Sequence, residues 1–392
     1  MGILSKLNLG LKMNEIKMAE QAIKDHGSQR KAAASLGWTR SKLRRRLLSN
    51  DDVLRGKIPE IGLNQNIPAP LQLSGVSYLV KADSENPVMH WVKANVKTQD
   101  KYKAFYEFIE SMSERIKPID VVALPSPIYT EYLTQYTITD LHCGMYSWNE
   151  ETLSDWDLDI CEKTILTGIQ TLADMSPNSG TGLLVQLGDF FHYDSHETVT
   201  PTNKHLLDAD TRFAKMFECG VDIMVKSIEI LLNRHDKVKV IVAQGNHDLS
   251  LSDALRLLVK RLYANNPRVE IIGDSYPFYC LLHGDVMIGC HHGHLRKKVN
   301  LASHFSIVYS DKWGKAKKRY IHCGHLHQLS IDDKNGCVTW QHPTIAAPDA
   351  YAAHKFDQTN RELTAIHYDK QYGIIATNTI SIKQIENYMK EY

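Results

Sequence analysis

From Tyr132 onward, short apolar or alternating runs are each followed at once by a polar cluster. YLTQYTI leads into DLH, LLVQL into GDFFH, VKVIVAQ into GNHD, DVMIGC into HHGH, and RYIHC into GHLH. Runs of this length and period predict strands, so five strand ends carry five polar loops. Between them, apolar residues recur at helical spacing in ICEKTILTGIQTLADM, FAKMFECGVDIMVKSIEILLNRH and SDALRLLVKRLYA, which predicts three helices. After GHLH, SIDDKNGCVTW and ELTAIHYDKQYGIIATNTISI read as hairpins, the first turning at Asn335-Gly336. The pattern predicts a mixed α/β sandwich. Loops at strand ends converge on one edge of a sheet, where residues far apart in sequence meet around a ligand.

Upstream the pattern differs. Residues 14–50 read as three short helices broken at Gly27 and Gly37, with Ser28 and Thr39 placed to cap the second and third. Ala19, Ala22, Ile23, Ala33, Leu36, Leu43 and Leu47 fall where three packed helices would bury them. Residues 51–70 hold three prolines and no apolar period, which marks a linker. The stretch 76–131 contains a strand-like GVSYLV, an amphipathic helix around KAFYEFIESM and an extended VVALPSPIY. The expected division is therefore a small helical domain over 1–50, a connecting region over 51–125 and a large α/β domain over 126–392.

The formal net charge is only +1, so no overall field draws the molecule to nucleic acid or a membrane surface. Any basic footprint must be local, and one is: Lys17 to Arg46 carry nine basic residues against Glu20 and Asp25, a net of +7. The seven cysteines include no C-x-x-C pair and read as reduced thiols, which points to the cytoplasm. No run reaches the roughly 20 apolar residues of a spanning helix, so no membrane partner is expected. MGILSKLNLG has neither the apolar stretch of a secretory signal nor, with Lys6 in place of Ser or Thr, a myristoylation pattern.

The five loops hold a mixture of carboxylate, amide and imidazole groups. Hydrolysis of a phosphate ester at neutral pH needs a strong nucleophile and something to neutralise charge on the phosphoryl oxygens. Two divalent ions roughly 3.5–4 Å apart supply both, a bridging water serving as hydroxide. Mixed oxygen and nitrogen ligands suit Mn²⁺, Fe or Zn²⁺ better than Mg²⁺ or Ca²⁺, and Mn²⁺ is the expected ion. Each motif alone says little; five in order, each directly after a strand-like run, point to a site.

The series Asp140-Leu141-His142, Gly188-Asp189-Phe190-Phe191-His192, Gly245-Asn246-His247-Asp248, His292-Gly293-His294 and Gly324-His325-Leu326-His327 resembles the calcineurin-like metallophosphoesterase superfamily. The resemblance spans about 190 residues of the chain and implies an α/β/β/α sandwich of mixed sheets. It also implies that Asp140, His142 and His327 hold one ion, that Asn246, His292 and His325 hold the other, and that Asp189 bridges them. His247 would face the substrate as a general acid or transition-state donor, a role that suits imidazole. His192 stands where many members place an aspartate that orients this histidine. Protein phosphatases of the superfamily continue as G-D-x-x-D-R-G, whereas GDFFH is similar to the SbcD-type DNA repair nucleases. Little chain follows GHLH, so the C-terminal DNA-capping domain of those nucleases is not expected, and an SbcC-type ATPase partner is not implied.

His291 beside His292 leaves open from alternation alone which ring points inward. His322 precedes its loop within a strand and reads as a core histidine. His196 and His205 read as loop residues, and Cys143, Cys290 and Cys323 as thiols outside a ligand set already complete.

The pattern AEQAIKDHGSQRKAAASLGWTRSKLRRRLL resembles a Fis-type helix-turn-helix, whose second motif helix enters the DNA major groove. On that helix Arg40, Ser41, Arg44 and Arg45 would face away from Leu43 and Leu47, toward guanine edges or phosphates. One such unit binds weakly, so a homodimer is expected if it reads sequence. Together the two resemblances imply a two-metal nuclease or phosphodiesterase that acts on DNA. The alternatives are a phosphomonoesterase acting on nucleotides or phosphoproteins, and a non-catalytic DNA-binding regulator; for the N-terminal block alone, the alternative is an oligomerisation bundle.

Overall fold

The computed structural model describes residues 18–19, 21–39, 42–43, 71–80, 87–96, 128–273, 275–355 and 360–391. The chain divides into two compact units, Met1–Tyr106 and Glu107–Tyr392.

In the first unit, residues 21–26 are helical and α1 spans Gln29–Ser35. The two predicted breaks are present, with Gly27 at φ 64° and Gly37 at φ 63°, the left-handed region that glycine enters without a side-chain clash. Both predicted caps form. Lys31 N donates to Ser28 Oγ at 3.3 Å and Lys42 N to Thr39 Oγ1 at 3.1 Å, each satisfying an amide that the first helical turn leaves open. Ala19, Ala22, Ala32, Ala33 and Leu43 are buried together, with Ile23, Leu36 and Trp38 packed against them. Leu47, the linker over 51–70, the helix expected around KAFYEFIESM and the candidate DNA contacts Arg40, Ser41, Arg44 and Arg45 lie outside the described residues. Strands β1 (Leu71–Val80) and β2 (Pro87–Val96) pair antiparallel; β1 contains the strand-like GVSYLV.

The second unit is built on two mixed sheets. The larger contains β3 (Tyr129–Ile138), β4 (Ser179–Gln186), β5 (Lys237–Val242), β6 (Val269–Ile272), β12 (Glu362–Asp369) and β13 (Gly373–Ser381), in the order β13-β12-β3-β4-β5-β6. Strands β3 to β6 run parallel, and β12 and β13 close the edge as an antiparallel hairpin. The smaller sheet holds β7 (Tyr279–His283), β8 (Val286–Cys290), β9 (Lys318–Cys323), β10 (Ser330–Lys334) and β11 (Cys337–Gln341), in the order β10-β11-β9-β8-β7. The β10–β11 hairpin turns through Asn335 at φ 57° and Gly336 at φ 70°, as Asn-Gly predicts.

Alternation builds the layers. In β7 and β8, Tyr279, Leu281, Val286, Ile288 and Cys290 face the inter-sheet core with Leu133, Leu183, Val185 and Ile241. Their neighbours Cys280 and Met287 face outward beneath helix α6 (Lys298–Val308), against Leu301 and Phe305, because successive side chains of a strand point to opposite faces. On the far face of the large sheet, α3 (Leu158–Met175), α4 (Phe213–Leu232) and α9 (Ile382–Glu391) complete an α/β/β/α arrangement. In α4, Met216, Phe217, Gly220, Val221, Met224, Ser227, Ile228 and Leu231 are buried at helical spacing. Helix α3 starts where Asp157 accepts from Ile160 N at 2.7 Å. Among the described residues no helix is long and apolar enough to cross a membrane.

A candidate metal centre at the edge of two sheets

Five strands, β3, β4, β5, β8 and β9, end at the five polar loops. Because β3, β4 and β5 are parallel and in register, their loops emerge side by side. Backbone bonds then join them: Asp140 N to Gly188 O at 3.1 Å, His142 N to Asp189 O at 2.9 Å, and Gly324 N to His292 O at 2.8 Å. Eight non-glycine residues among those described have positive φ, and five of them are Asp140, His142, Asp189, His325 and His327. Such backbone costs roughly 1–3 kcal/mol per residue and persists only where the surroundings enforce it. Gly188 has φ 101°, and a Cβ on Gly245 would lie 2.0 Å from Asp189 Oδ1, so both positions bar a side chain where the carboxylate turns inward.

The sequence-predicted ligands gather into two groups. Donor atoms of Asp140, His142 and His327 lie within 4.8 Å of one another, as do those of Asp189, His292 and His325. Within the first, His327 Nε2 is 3.3 Å from Asp140 Oδ1 and 3.5 Å from His142 Nε2. Within the second, His292 Nε2 is 3.1 Å from Asp189 Oδ2 and 3.2 Å from Asn246 Oδ1. The same His292 nitrogen is 4.0 Å from Asp140 Oδ1, which joins the groups. His292 Nδ1 donates to the Leu187 carbonyl at 3.0 Å, leaving Nε2 directed at the carboxylates, the outer hydrogen bond that orients a ligating imidazole.

Asp140 and Asp189 are fully buried. Burial alone would raise both carboxyl groups, but His327 and His292 beside Asp140, and His292 beside Asp189, hold both well below the usual range. For His292, burial works against the charge, yet Asp189 and Asp140 outweigh it and push the ring up to about 9. Two buried negative charges require compensating positive charge. Two carboxylates, four imidazoles and an amide oxygen form a mixed donor set that fits divalent transition ions.

A third group, His142, His192 and His247, adjoins the first. His247 Nδ1 donates to the His192 carbonyl at 2.9 Å, which leaves its Nε2 for a ligand, and its backbone N donates to Asp189 Oδ1 at 2.8 Å. The His192 ring stacks beside that of His247, centroids 5.8 Å apart at 21°, and its Nδ1 lies 3.3 Å from His142 Nδ1. Burial, then the neighbouring His247, draws His192 down to about 3.

The structure separates the two adjacent histidines: His292 enters the cluster, while His291 stacks on Phe278 at 4.1 Å and accepts from Gly293 N. His294 is half-buried, its ring 5.3 Å from that of His292. His322 is a core residue held by His342 at 2.9 Å and the Tyr368 hydroxyl at 2.8 Å. His196 and His205 are exposed. The seven cysteines are free thiols, and Cys143, Cys290 and Cys323 are buried away from the donor groups.

Sequence reasoning missed the residues that hold the loops. Asp248 accepts from Gly245 N at 2.9 Å, Phe190 N at 2.8 Å and Phe191 N at 3.1 Å, tying GDFFH to GNHD. Burial, then the charge of Asp189, raises its carboxyl to about 7. Asp194 accepts from Ser250 N and Leu251 N and caps α5 (Leu249–Leu262). Thr344 Oγ1 donates to the Asp140 carbonyl at 2.7 Å. Only Asp248, as the last residue of GNHD, and Asp194, as an acid two residues past GDFFH, carried a signal.

Fold and site together define a metal-dependent phosphoesterase. The sequence profile of the calcineurin-like phosphoesterases, Metallophos, matches residues 133–362, and the chain belongs to that family. Its similarity to individual solved structures is remote. A phosphodiesterase of archaeal origin is 14% identical, with 63% of this chain and 99% of that one covered and a TM-score of 0.31. Zinc-bound Vps29 from Entamoeba histolytica is 12% identical, with 64% and 99% covered and a TM-score of 0.28. No curated protein matches the chain.

Proposed function

We propose that the protein is a two-metal phosphodiesterase that cleaves DNA. The observation that carries this reading is the paired His192 and His247 rings beside His142, where a protein phosphatase of the superfamily would have an aspartate in the GDFFH loop. When bound, the two ions, Mn²⁺ by preference, supply the nucleophile and neutralise charge on the phosphoryl oxygens. Asp140, His142 and His327 would hold one ion, Asn246, His292 and His325 would hold the other, and Asp189 would serve both. His247, with Nδ1 fixed on the His192 carbonyl, presents Nε2 to the phosphodiester and protonates the leaving oxygen. His192 excludes water from one side of that ring and positions it.

The basic N-terminal block, with Arg40, Ser41, Arg44 and Arg45, tethers the enzyme to DNA as a helix-turn-helix, the intact protein acting as a homodimer. Buried Ala19, Ala22, Ala33 and Leu43 and capped helix starts at Ser28 and Thr39 support that reading.

The test takes metal-stripped protein, adds Mn²⁺, Mg²⁺ or Zn²⁺ separately, and offers bis-p-nitrophenyl phosphate, p-nitrophenyl phosphate, single-stranded and duplex DNA. Mn²⁺ restores cleavage of the diester and of at least one DNA form; rapid monoester turnover with inert DNA would replace this reading by a phosphomonoesterase. Arg44→Glu with Arg45→Glu weakens duplex binding at low salt about tenfold or more, since each lost phosphate contact releases fewer counterions, without changing turnover of the small diester. Unchanged DNA binding across a salt series would remove the tether.

A further inference from the structure

The loop that follows His142 leaves the metal edge as an extended segment with a regular alternation. Met145 and Ser147 are buried, at 2% and 3% exposure, while Tyr146 and Trp148 between and after them are 46% and 54% exposed. Bridges from Met145 to Ala209 and from Ser147 to Trp156 hold the segment extended, and Trp148 itself has φ −113° and ψ 127°. In such backbone, residues two apart project to the same face, roughly 6.6 Å from one another. Two large aromatic side chains therefore project from the same face of the segment into solvent.

That support is continuous with the first donor group. Met145 N donates to the His142 carbonyl at 2.9 Å. Ser147 Oγ donates to the Pro348 carbonyl at 2.7 Å, in the same loop whose Thr344 hydroxyl binds the Asp140 carbonyl. The rings thus begin four residues beyond a candidate ligand, on the side of Asp140, His142 and His327.

The rim is also polarised. Exposed Glu150, Glu151 and Asp155 follow Trp148 closely in sequence, and the carbonyl of exposed Asp208 accepts from Tyr146 N at 3.0 Å, whereas exposed Arg296 and Lys297 follow His292 of the second donor group. A phosphate chain is drawn to the basic side and repelled from the acidic one.

We propose that Tyr146 and Trp148 form a shelf on which one terminal nucleobase stacks while its neighbouring phosphodiester lies at the metal edge. The proposal rests on the phosphodiesterase reading above and adds the chemistry of the group beyond the scissile phosphate. A flat, sparingly charged ring one sugar away from a phosphate is what a terminal nucleoside presents. Stacking on aromatic side chains accepts any base, because every base has a π-face. The carboxylates around the shelf disfavour a further phosphate beyond that base, so the strand extends toward Arg296 and Lys297 and the shelf receives its end.

Short single-stranded oligonucleotides carrying either a normal base or an abasic spacer at the first or last nucleoside test the shelf. The Mn²⁺-loaded parent prefers a base-bearing terminus over the abasic one, at one of the two ends, by about tenfold in kcat/KM, the effect of one stacked base. Trp148→Ala and Tyr146→Ala each lower that ratio toward one. General damage to the fold would slow both substrates together and leave the ratio intact. No preference in the parent, or a preference that survives both variants, overturns the proposal. If the parent cuts the small diester but no oligonucleotide, the DNA reading fails, and the shelf is judged by fluorescence. AMP then quenches tryptophan emission and ribose 5-phosphate does not, and the quench disappears in Trp148→Phe; no quench dependent on Trp148 overturns the shelf as well.

Discussion

Two sets of buried histidines lie at opposite ends of the parallel strands, and only one is built to bind. At the starting end of β4 and β5, His235 Nδ1 donates to the Ser179 carbonyl at 3.0 Å, and its Nε2 lies 3.0 Å from the Tyr136 hydroxyl. Ser179 Oγ continues to Thr134 Oγ1, which meets His367 Nδ1 at 3.1 Å. These partners are hydroxyls and a carbonyl, and the backbone at His235 and His367 is not left-handed. At the other end, His142, His292, His325 and His327 surround two carboxylates, and His142, His325 and His327 share left-handed backbone with Asp140 and Asp189. Both ends hold histidines; buried anionic charge and enforced backbone distinguish a site from a satisfied core.

Replacing the bridging carboxylate attacks the distinction most directly. Asp189→Asn, measured by metal content and diester turnover, lowers bound metal and cuts the rate on the order of 10³-fold or more, since metal stabilisation of phosphoryl charge is worth several kcal/mol. Retention of two ions and near-parental rate would return Asp189 to the class of His235. His247→Ala costs on the order of 10²-fold in rate while the ions remain, and His192→Ala costs less. Loss of metal from His247→Ala would make that residue a ligand.

The opposite end answers to pH. Burial draws His235 down to about 4, so the folded state binds its proton less readily than the unfolded chain, whose imidazole titrates near 6.5. The resulting stability, about 3 kcal/mol, is present above about pH 6.5 and is lost as pH falls toward 4. In denaturant titrations, the stability gap between the parent and His235→Gln therefore narrows as pH falls through that window. A gap that stays constant would mean the ring is not held neutral. The smallest effect belongs to Cys143→Ser: the thiol adjoins His142 in sequence but faces the Met216 carbonyl at 3.8 Å, so bound metal is unchanged. Loss of an ion there would enlarge the donor set.

The five loops were legible because each follows a strand whose alternation ends abruptly, and both hairpins because Asn-Gly and the polar Asp369–Gly373 stretch interrupt apolar runs. The choice between His291 and His292 was legible only through the family resemblance and not from alternation, since it depends on the Leu187 carbonyl beyond another strand and on the Phe278 ring. Helices α6 and α9 also escaped the pattern. The apolar face of α6 is short, with only Leu301, Ala302 and Phe305 buried, and that of α9 meets a partner, Leu363 near Gly168, that is distant in sequence. The order of strands within each sheet has no local signature.

The Asp248 carboxylate gathers three amides from two loops and is itself outside the ligand set. The loops are thereby tied together through bonds that the metal ligands do not supply, and the expected consequence is that little conformational entropy remains to be lost on loading. The centre then behaves thermally like a rigid receptor: ions raise the melting temperature with the logarithm of their free concentration, while the far-ultraviolet dichroism of the empty and loaded protein superimposes.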